Sequence, residues 1–499
     1  NNLLTDHMKL HPYFLSQAFL SKLPLIFLCI IFFVPIMLLS LSYQIGILFI
    51  AFYISYWTVK VFESYYYVLT SYITLLRTNK RDYSDYPVIL GEAKYLKHIV
   101  IVPIYSEPYD VIAENIESII ANDYPYKENI VVLLATEERG PGAIENADRI
   151  VADYSGTSPV QIVNVVHPAD IPGEGRVKGS NITYAIKRYI ETEELDEHMT
   201  FVSTIDTDTL VEANFFLITS YVFLSTEHNQ NAIYQYTPVY ANNWHKGTFF
   251  ARLIAMGTTF WQLSESQNPE FYRNFAVYGQ SLYCLKKADF WSLTSIVEDG
   301  FQYWRSYFAF DGIFRIVNVP AVCRMDIVEE ETFLRTIRSQ YKQLRRWSWG
   351  CTDIEYVIPQ FANNPRIPFF EKFKKTRYLI LNHLFWSGGA LMLFFIGYIP
   401  GILSSVHESI ISLTIPLITS FLFTWIFATI IFPSIISILI MKKYTHFRKR
   451  DYIFNILQWA LIPILTLTLF SLPAIESQVR LFFGKRLGTF ETTQKMKRN

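Results

Sequence analysis

The sequence predicts an α/β domain set between two groups of transmembrane helices, and three observations predict it. Uncharged apolar runs long enough to cross a bilayer gather towards the two ends of the 499-residue chain. Between them, residues 79–377 have the composition of a soluble domain and are enough to bury a full core. Within that block, short β-branched runs alternate with amphipathic stretches, the order of a doubly wound sheet with helices on both faces. The formal net charge is zero, so nucleic acid is not an expected partner. The 33 Tyr, 40 Phe and 10 Trp suit membrane-interface belts and surfaces that stack on flat ligands. Cys29, Cys284, Cys323 and Cys351 are scattered, with no C-x-x-C pair and no His at zinc-ligand spacing, so neither a disulfide framework nor a zinc cage is expected.

In chain order, an N-terminal segment (1–22) precedes "LPLIFLCIIFFVPIMLLSL", Leu23 to Leu41, which carries no charge. A second run, Ile45 to Val59, follows almost at once. Length and pairing read as a transmembrane hairpin over 23–68 rather than a signal peptide. Three more runs, Tyr378–Tyr398, Ile410–Met441 and Ile453–Leu472, place C-terminal spans over 378–472, ahead of a basic tail over 473–499. The middle run is long enough to tilt or to break near Pro433. Lysine and arginine set the orientation. Arg77, Lys80 and Arg81 follow the hairpin, "EKFKKTR" (Glu371 to Arg377) enters the third span, and "KKYTHFRKR" (Lys442 to Arg450) leaves the fourth, while the links near Ser42 and Val406 carry neither residue. The soluble block is therefore expected on the cytoplasmic side of a plasma or inner membrane. Five spans would put the tail outside, yet "FGKR" and "KMKRN" favour the cytoplasm, so the fourth segment is expected to form two helices or the last to be re-entrant.

Inside the block, His98–Tyr105, Asn129–Thr136, Val160–His167 and Met199–Asp206 read as buried strands, with helices near Val111–Ile120, Ala143–Tyr154 and Ile182–Glu191. Ligands of such sheets bind beyond the carboxyl ends of the strands. Those ends carry "PIYSEP", "TEERG", "GEGRVKGSN" and "DTDT". In the last, Asp206 and Asp208 flank one residue and can reach a divalent cation on a diphosphate. Arg176 and Lys178 offer positive charge to a phosphate, and no P-loop G-K-[ST] is present. Further on, "IVEDGFQYWR" pairs Glu298 with Asp299, and Arg305 lies six residues later. A carboxylate there serves as a general base or as a helix-start charge. A helix over about 332–349 has an apolar seam of Phe333, Ile337, Tyr341, Leu344 and Trp347, with Arg335, Arg338, Lys342 and Arg345 largely off it. That pattern suits a membrane surface or an ordinary surface helix. Gln343, Arg346 and Trp347, at i, i+3 and i+4, share one face.

Taken together, "PIYSEP", Asp206-x-Asp208, Glu298-Asp299 with an arginine six on, and Q-x-x-R-W at Gln343, Arg346 and Trp347 resemble a membrane-embedded family 2 glycosyltransferase, the group of cellulose, hyaluronan, chitin and mannan synthases. The resemblance covers Lys97 to Gly350. It implies a GT-A nucleotide-sugar-binding fold, a mixed and mostly parallel sheet with helices on both faces, inserted between transmembrane helices. It implies inverting transfer from a UDP- or GDP-sugar donor, with Mg²⁺ or Mn²⁺ held by Asp206 and Asp208. Donor contacts are implied for Pro103, Tyr105, Glu107, Glu137, Glu138, Lys178, Asn181 and Asp206. Asp299, beside Glu298, is implied as the base, while Gln343, Arg346 and Trp347 meet the leaving diphosphate and the acceptor, and Arg305 belongs to the same constellation. Glu137 and Glu138 stand where many relatives carry D-D or D-G, Val297 where they carry Thr or Ser, and Thr183 where they carry a second Asn. The expected activity is processive extension of a β-glycan with translocation through the spans, amid membrane lipids. One alternative is transfer of a single sugar to a lipid or short glycan acceptor. Another is a transporter or receptor with a nucleotide-sensing domain, which explains the spans but not Asp299, Arg305 and Gln343 in order, and charges are scarce within the spans.

Overall fold

The computed structural model describes residues 15–81, 87–400, 417, 420, 421, 424, 430–447 and 449–488. Two antiparallel helices, α1 (Leu23–Leu41) and α2 (Tyr43–Asn79), form the expected hairpin. The second does not end near residue 68 but runs unbroken to Asn79. Its extension is held by burial of Val68 and Leu75 against the soluble domain, a tertiary contact with no local signature. Among the described residues four helices are long and apolar enough to cross a membrane: Gln17–Leu41, Tyr43–Asn79, Phe369–Phe395 and Lys449–Phe482. "EKFKKTR" forms the first turns of the third rather than a link before it. Most of the run expected over Ile410–Met441 lies outside the described residues, as does the end of the tail; the helix Ile431–Met441 is its described part. The four cysteines are unpaired, three of them buried and Cys29 exposed on α1.

The soluble block is built on eight strands: β1 (Lys97–Ile104), β2 (Ile130–Glu137), β3 (Gln161–His167), β4 (Thr200–Thr204), β5 (Leu210–Val211), β6 (Ala232–Tyr240), β7 (Tyr278–Ser281) and β8 (Arg315–Met325). Their order is β3-β2-β1-β4-β7-β6-β8-β5. The first four are mutually parallel, β7 runs antiparallel to both neighbours, β6 and β8 are parallel, and the short β5 closes the edge antiparallel. The helices used below are α3 (Tyr109–Ile120), α4 (Ala143–Tyr154), α5 (Lys178–Thr192), α6 (Phe215–Ser225), α7 (Phe249–Glu265), α8 (Glu298–Ala309), α9 (Phe333–Ser348) and α10 (Asp353–Asn363).

Alternation along the strands splits the core. Val100, Val102 and Ile104 of β1 pack with Ile112, Ile116, Ala147 and Phe216 on the face covered by α3, α4 and α6. Ile99 and Ile101 pack with Ile182, Ile186, Tyr303 and Trp304 on the face covered by α5 and α8. Successive side chains of a strand point to opposite faces, so continuous apolar runs such as "IVVLLA" require both faces to be covered. A mixed, mostly parallel sheet between helix layers is the arrangement that the resemblance implied. A third cluster joins Ile254 and Leu263 of α7 and Leu344 of α9 to Val68 and Leu75 of α2 and to Trp459 and Leu465 of the last span. The seam of α9 is thus spent largely on protein, and Arg345 and Tyr341 tie it to Glu476 of the last span at 2.9 and 2.8 Å.

Helix α5 begins at Lys178, four residues before the apolar periodicity starts. Its polar first turn is closed by Ser180 Oγ, which donates to Val177 O (2.7 Å) and Gly175 O (2.9 Å). That earlier start puts Lys178 at the carboxyl ends of the parallel strands.

Candidate active site

Beyond β4 the chain turns through Asp206 and Asp208, and side-chain hydrogen bonds tie the turn to three other segments. Thr207 Oγ1 donates to Pro103 O of β1 at 2.5 Å. Asn115 Nδ2 of α3 donates to Thr209 O at 2.5 Å and reaches Asp206 O at 3.5 Å. Asn242 Nδ2, just after β6, donates to Asp208 O (3.1 Å) and to Asp326 Oδ1 (3.0 Å). With its carbonyls engaged behind it, the turn presents two partly exposed carboxylates at the strand end.

Lys178 stands between acids. Its Nζ lies 2.6 Å from Asp206 Oδ1 and 3.7 Å from Glu298 Oε1. Burial works against the ammonium, but the charges of Asp206, Glu298 and Asp299 more than offset it and hold its pKa above the ordinary value. Glu298 is 4% exposed, and burial pushes its carboxyl up to about 7 against the pull of Lys178. Gly179 makes this approach possible: a Cβ there would collide with Ser292 O and would lie 3.3 Å from Glu298 Cβ. Gly179→Ala is expected to cost about 1–3 kcal/mol of stability by overpacking. Lower thermal unfolding midpoints in detergent, together with weaker binding of UDP or GDP, would check it.

Asp299 is the second residue of α8. Its Oδ1 accepts from Gly300 N (2.8 Å), its Oδ2 from Ala276 N (3.0 Å), and its carbonyl from Asn274 Nδ2 (2.6 Å). From α9, the charge of Arg346 acts on both Glu298 and Tyr240. The Trp347 ring meets the Phe275 ring edge-on at 5.2 Å, one residue from the amide that holds Asp299. Gln343 is partly exposed one turn before them. D-x-D, Lys178, the acidic pair and the Q-x-x-R-W face therefore converge at one end of the sheet.

The sequence profile of glycosyl transferase family group 2 matches residues 201–472, more than half of the chain and all three of these motifs. The chain belongs to that family. No curated protein sequence matches it. Among solved structures, mannosyltransferase PcManGT from Pyrobaculum calidifontis, in complex with GDP-Man and Mn²⁺, aligns with TM-score 0.44 at 12% identity over 86% of this chain and 99% of that one. GalNAc-T7 with UDP, GalNAc and Mn²⁺ aligns with TM-score 0.34 at 11% identity over 58% of each.

In this glycosyltransferase the remaining predicted residues take varied places. Glu107 accepts from Tyr105 N and Ser106 N at 2.6 and 3.0 Å, and burial raises its pKa, with the charge of Asp206 adding to the rise. Tyr105 is exposed at the strand end. Glu137 is buried in a network with Arg139 (2.7 Å) and His167 (3.7 Å), and His167 Nε2 lies 2.8 Å from Glu174. Burial lowers the imidazole pKa, yet these two carboxylates leave it raised overall. Glu138 is exposed and accepts from Ala169 N at 2.7 Å. Asn181 is buried, its amide spent on Ala135 O of β2 at 2.7 Å. Arg305 joins none of the acids of the cluster. Its guanidinium donates to the carbonyls of Ala288 (2.9 Å), Asp289 (2.8 Å) and Phe290 (3.3 Å), closing a turn in which Asp289 and Phe290 both have positive φ.

Sequence reasoning missed several supports of the site. Asn115 and Asn242 carried no signal, because an amide inside an amphipathic pattern looks the same whether it faces water or a backbone carbonyl. Asp353, at the start of α10, is another. Burial and the like charge of Asp299 push its carboxyl up to about 8, against Arg273, whose guanidinium lies over the rings of Tyr303 (3.8 Å) and Trp304 (5.0 Å). Its proximity in sequence to Q-x-x-R-W was the one available hint.

No group of three or more His, Cys, Asp or Glu side chains that could hold a metal is present among the described residues. The donor set still fits a hard cation that shares its coordination with a ligand. Asp206 and Asp208 offer two carboxylates, and such ions take carboxylate oxygens together with phosphate and water oxygens.

Proposed function

We propose that the protein is an inverting, divalent-cation-dependent glycosyltransferase that extends a polysaccharide from a UDP- or GDP-sugar at the cytoplasmic face of a membrane and works processively. The observation that carries this reading is the Asp299 carboxylate, oriented by two backbone N–H groups within the cluster formed by Lys178, Asp206, Glu298 and the Q-x-x-R-W helix. In the reaction an acceptor hydroxyl oxygen bonds to the anomeric carbon as the bond from that carbon to the diphosphate breaks on the opposite face. Asp299 takes the hydroxyl proton. The nucleoside diphosphate leaves with the bonding electrons, and Lys178 and Arg346 stabilise its charge from within a largely buried setting. Asp206 and Asp208 would hold Mg²⁺ or Mn²⁺, which supplies further positive charge to the diphosphate when bound. Burial and Lys178 oppose one another at Glu298, so that this carboxyl exchanges a proton near neutrality and tunes the charge around Lys178.

On the acceptor side, Trp347 backed by Phe275 offers an aromatic surface suited to a sugar ring. Packing of α7 and α9 against α2 and the last span sets the catalytic block directly against the membrane helices. Lysine and arginine next to the spans support a cytoplasmic catalytic block.

The test is product analysis. Protein in nanodiscs, given radiolabelled UDP- and GDP-sugars with Mn²⁺ or Mg²⁺, is expected to yield a ladder or high-mass glycan from one donor. A single-sugar product, or transfer only to added lipid, would overturn processivity while leaving the transferase assignment in place.

A further inference from the structure

Resting on Asp299 as the base, we propose that Gln235, in the middle of β6, is a positioning residue for transfer. Through the segment Phe275–Val277 it sets the direction of the Asp299 carboxylate and the seat of Trp347.

Strands β6 and β7 pair only at Tyr234↔Gly279 and Gln235↔Tyr278, so the chain just before β7 runs beside β6 with no ladder of its own. Buried backbone groups left without partners there would be costly. Gln235, fully buried, supplies them. Its Oε1 accepts from Phe275 N (2.7 Å), and its Nε2 is shared among Val277 O (2.9 Å), Phe275 O (3.1 Å) and its neighbour Tyr236 O (2.8 Å).

The segment thus clamped is an uncommon one. Val277 N donates to Phe275 O at 2.6 Å, closing a three-residue turn around Ala276, whose φ is 50°. A tight turn with a non-glycine residue in the left-handed region is strained and persists only where its surroundings over-determine it. Gln235 grips the residues on both sides of Ala276. What the turn accomplishes is to aim Ala276 N–H at Asp299 Oδ2, while Asn274, one residue before the clamp, holds Asp299 O and Phe275 supports the Trp347 ring. A single buried amide therefore governs both the base and the aromatic wall beside it, without touching either.

The titratable groups whose charges act with Asp299 are Glu298 beside it, Lys178 of α5, Tyr240 of β6, Tyr278 of β7 and Asp353 of α10. None is altered by substitution at Gln235.

The test compares Gln235→Met, Gln235→Glu and Asp299→Asn in the full chain in nanodiscs, using the radiolabelled donor that the wild type turns over. Gln235→Met is expected to lower kcat about 10–100-fold, the scale of a small misplacement of reacting groups. Binding of UDP or GDP with Mn²⁺ should stay within about twofold, since Lys178 and the D-x-D turn are held by other elements. Gln235→Glu retains an acceptor for Phe275 N–H and should fall between the wild type and Gln235→Met. A wild-type kcat in both Gln235 variants would overturn the proposal, and so would a loss of kcat matched by an equal loss of nucleotide binding. Should Gln235→Met fail to fold, the same split of kcat against nucleotide binding in Gln235→Glu decides. Turnover surviving in Asp299→Asn would sink the base assignment itself, whereas an inactive Asp299→Asn beside Gln235 variants of wild-type kcat would sink only the positioning role.

Discussion

Asp299→Asn is expected to lower turnover by about 10²–10⁴-fold, the range that a positioned general base supplies. The structural reason is specific. Both carboxylate oxygens accept backbone N–H groups, from Gly300 and Ala276. Those bonds hold the carboxylate in one orientation. An amide cannot take up the proton, and its NH₂ would face one of the two N–H donors, turning the side chain out of position as well. Nucleoside diphosphate binding should change little, because Asp206 and Asp208 lie in the turn after β4 and Lys178 on α5, and they are held by Thr207, Asn115, Asn242 and Ser180. Isothermal titration with UDP or GDP and Mn²⁺, beside single-turnover transfer, separates the two effects. Transfer at the wild-type rate in the variant would remove Asp299 from the mechanism.

Lys178→Met is expected to damage both function and stability. The ammonium pairs with both Asp206, at 2.6 Å, and Glu298, at 3.7 Å. Breaking a buried pair by removing one member costs about 3–5 kcal/mol. Here the loss should be smaller, about 1–3 kcal/mol, because Asp206 remains a third exposed and is screened by water. Its sign with pH is determinate. Glu298 has a folded pKa raised to about 7, so between the ordinary carboxylate value and that point the folded state holds more protons than the unfolded one, and stability falls as pH rises. Without Lys178 the folded value moves higher still. The gap between wild type and variant should therefore narrow on acidification below pH 7 and widen above it, as read from thermal midpoints at pH 6 and pH 8. Nucleotide binding should weaken at both. A gap that is the same at both pH values would show that Glu298 does not feel the lysine.

The membership of the cluster was largely legible because few side chains suit the proposed chemistry. Two carboxylates one residue apart at a strand end, an acidic pair at a helix start, and an arginine and a tryptophan on one helical face form a pattern that composition alone seldom produces. The structure brings Lys178, Asp206, Glu298, Asp299, Arg346 and Trp347 to one end of the sheet. Arg305 shows where the reading overreached, since spacing gave it a place in the constellation and its guanidinium instead closes the turn at Ala288–Phe290. The beginnings of helices were harder to place. Lys178 opens α5 through a polar turn without periodicity, and α2 continues past residue 68 because the domain covers Val68 and Leu75.

By itself, the sequence determined the apolar spans, the mostly parallel sheet between helix layers and the candidate side chains of the site, because each is written in local periodicity or in scarce chemistry. Only the tertiary structure decided which groups hold those side chains still. Asn115 reaches Thr209 and Asn242 reaches Asp208 across the fold, while Gln235 grips Phe275 and Val277. Each satisfies backbone groups distant in sequence, and an amide reveals such a partner only once packing has removed water from around it.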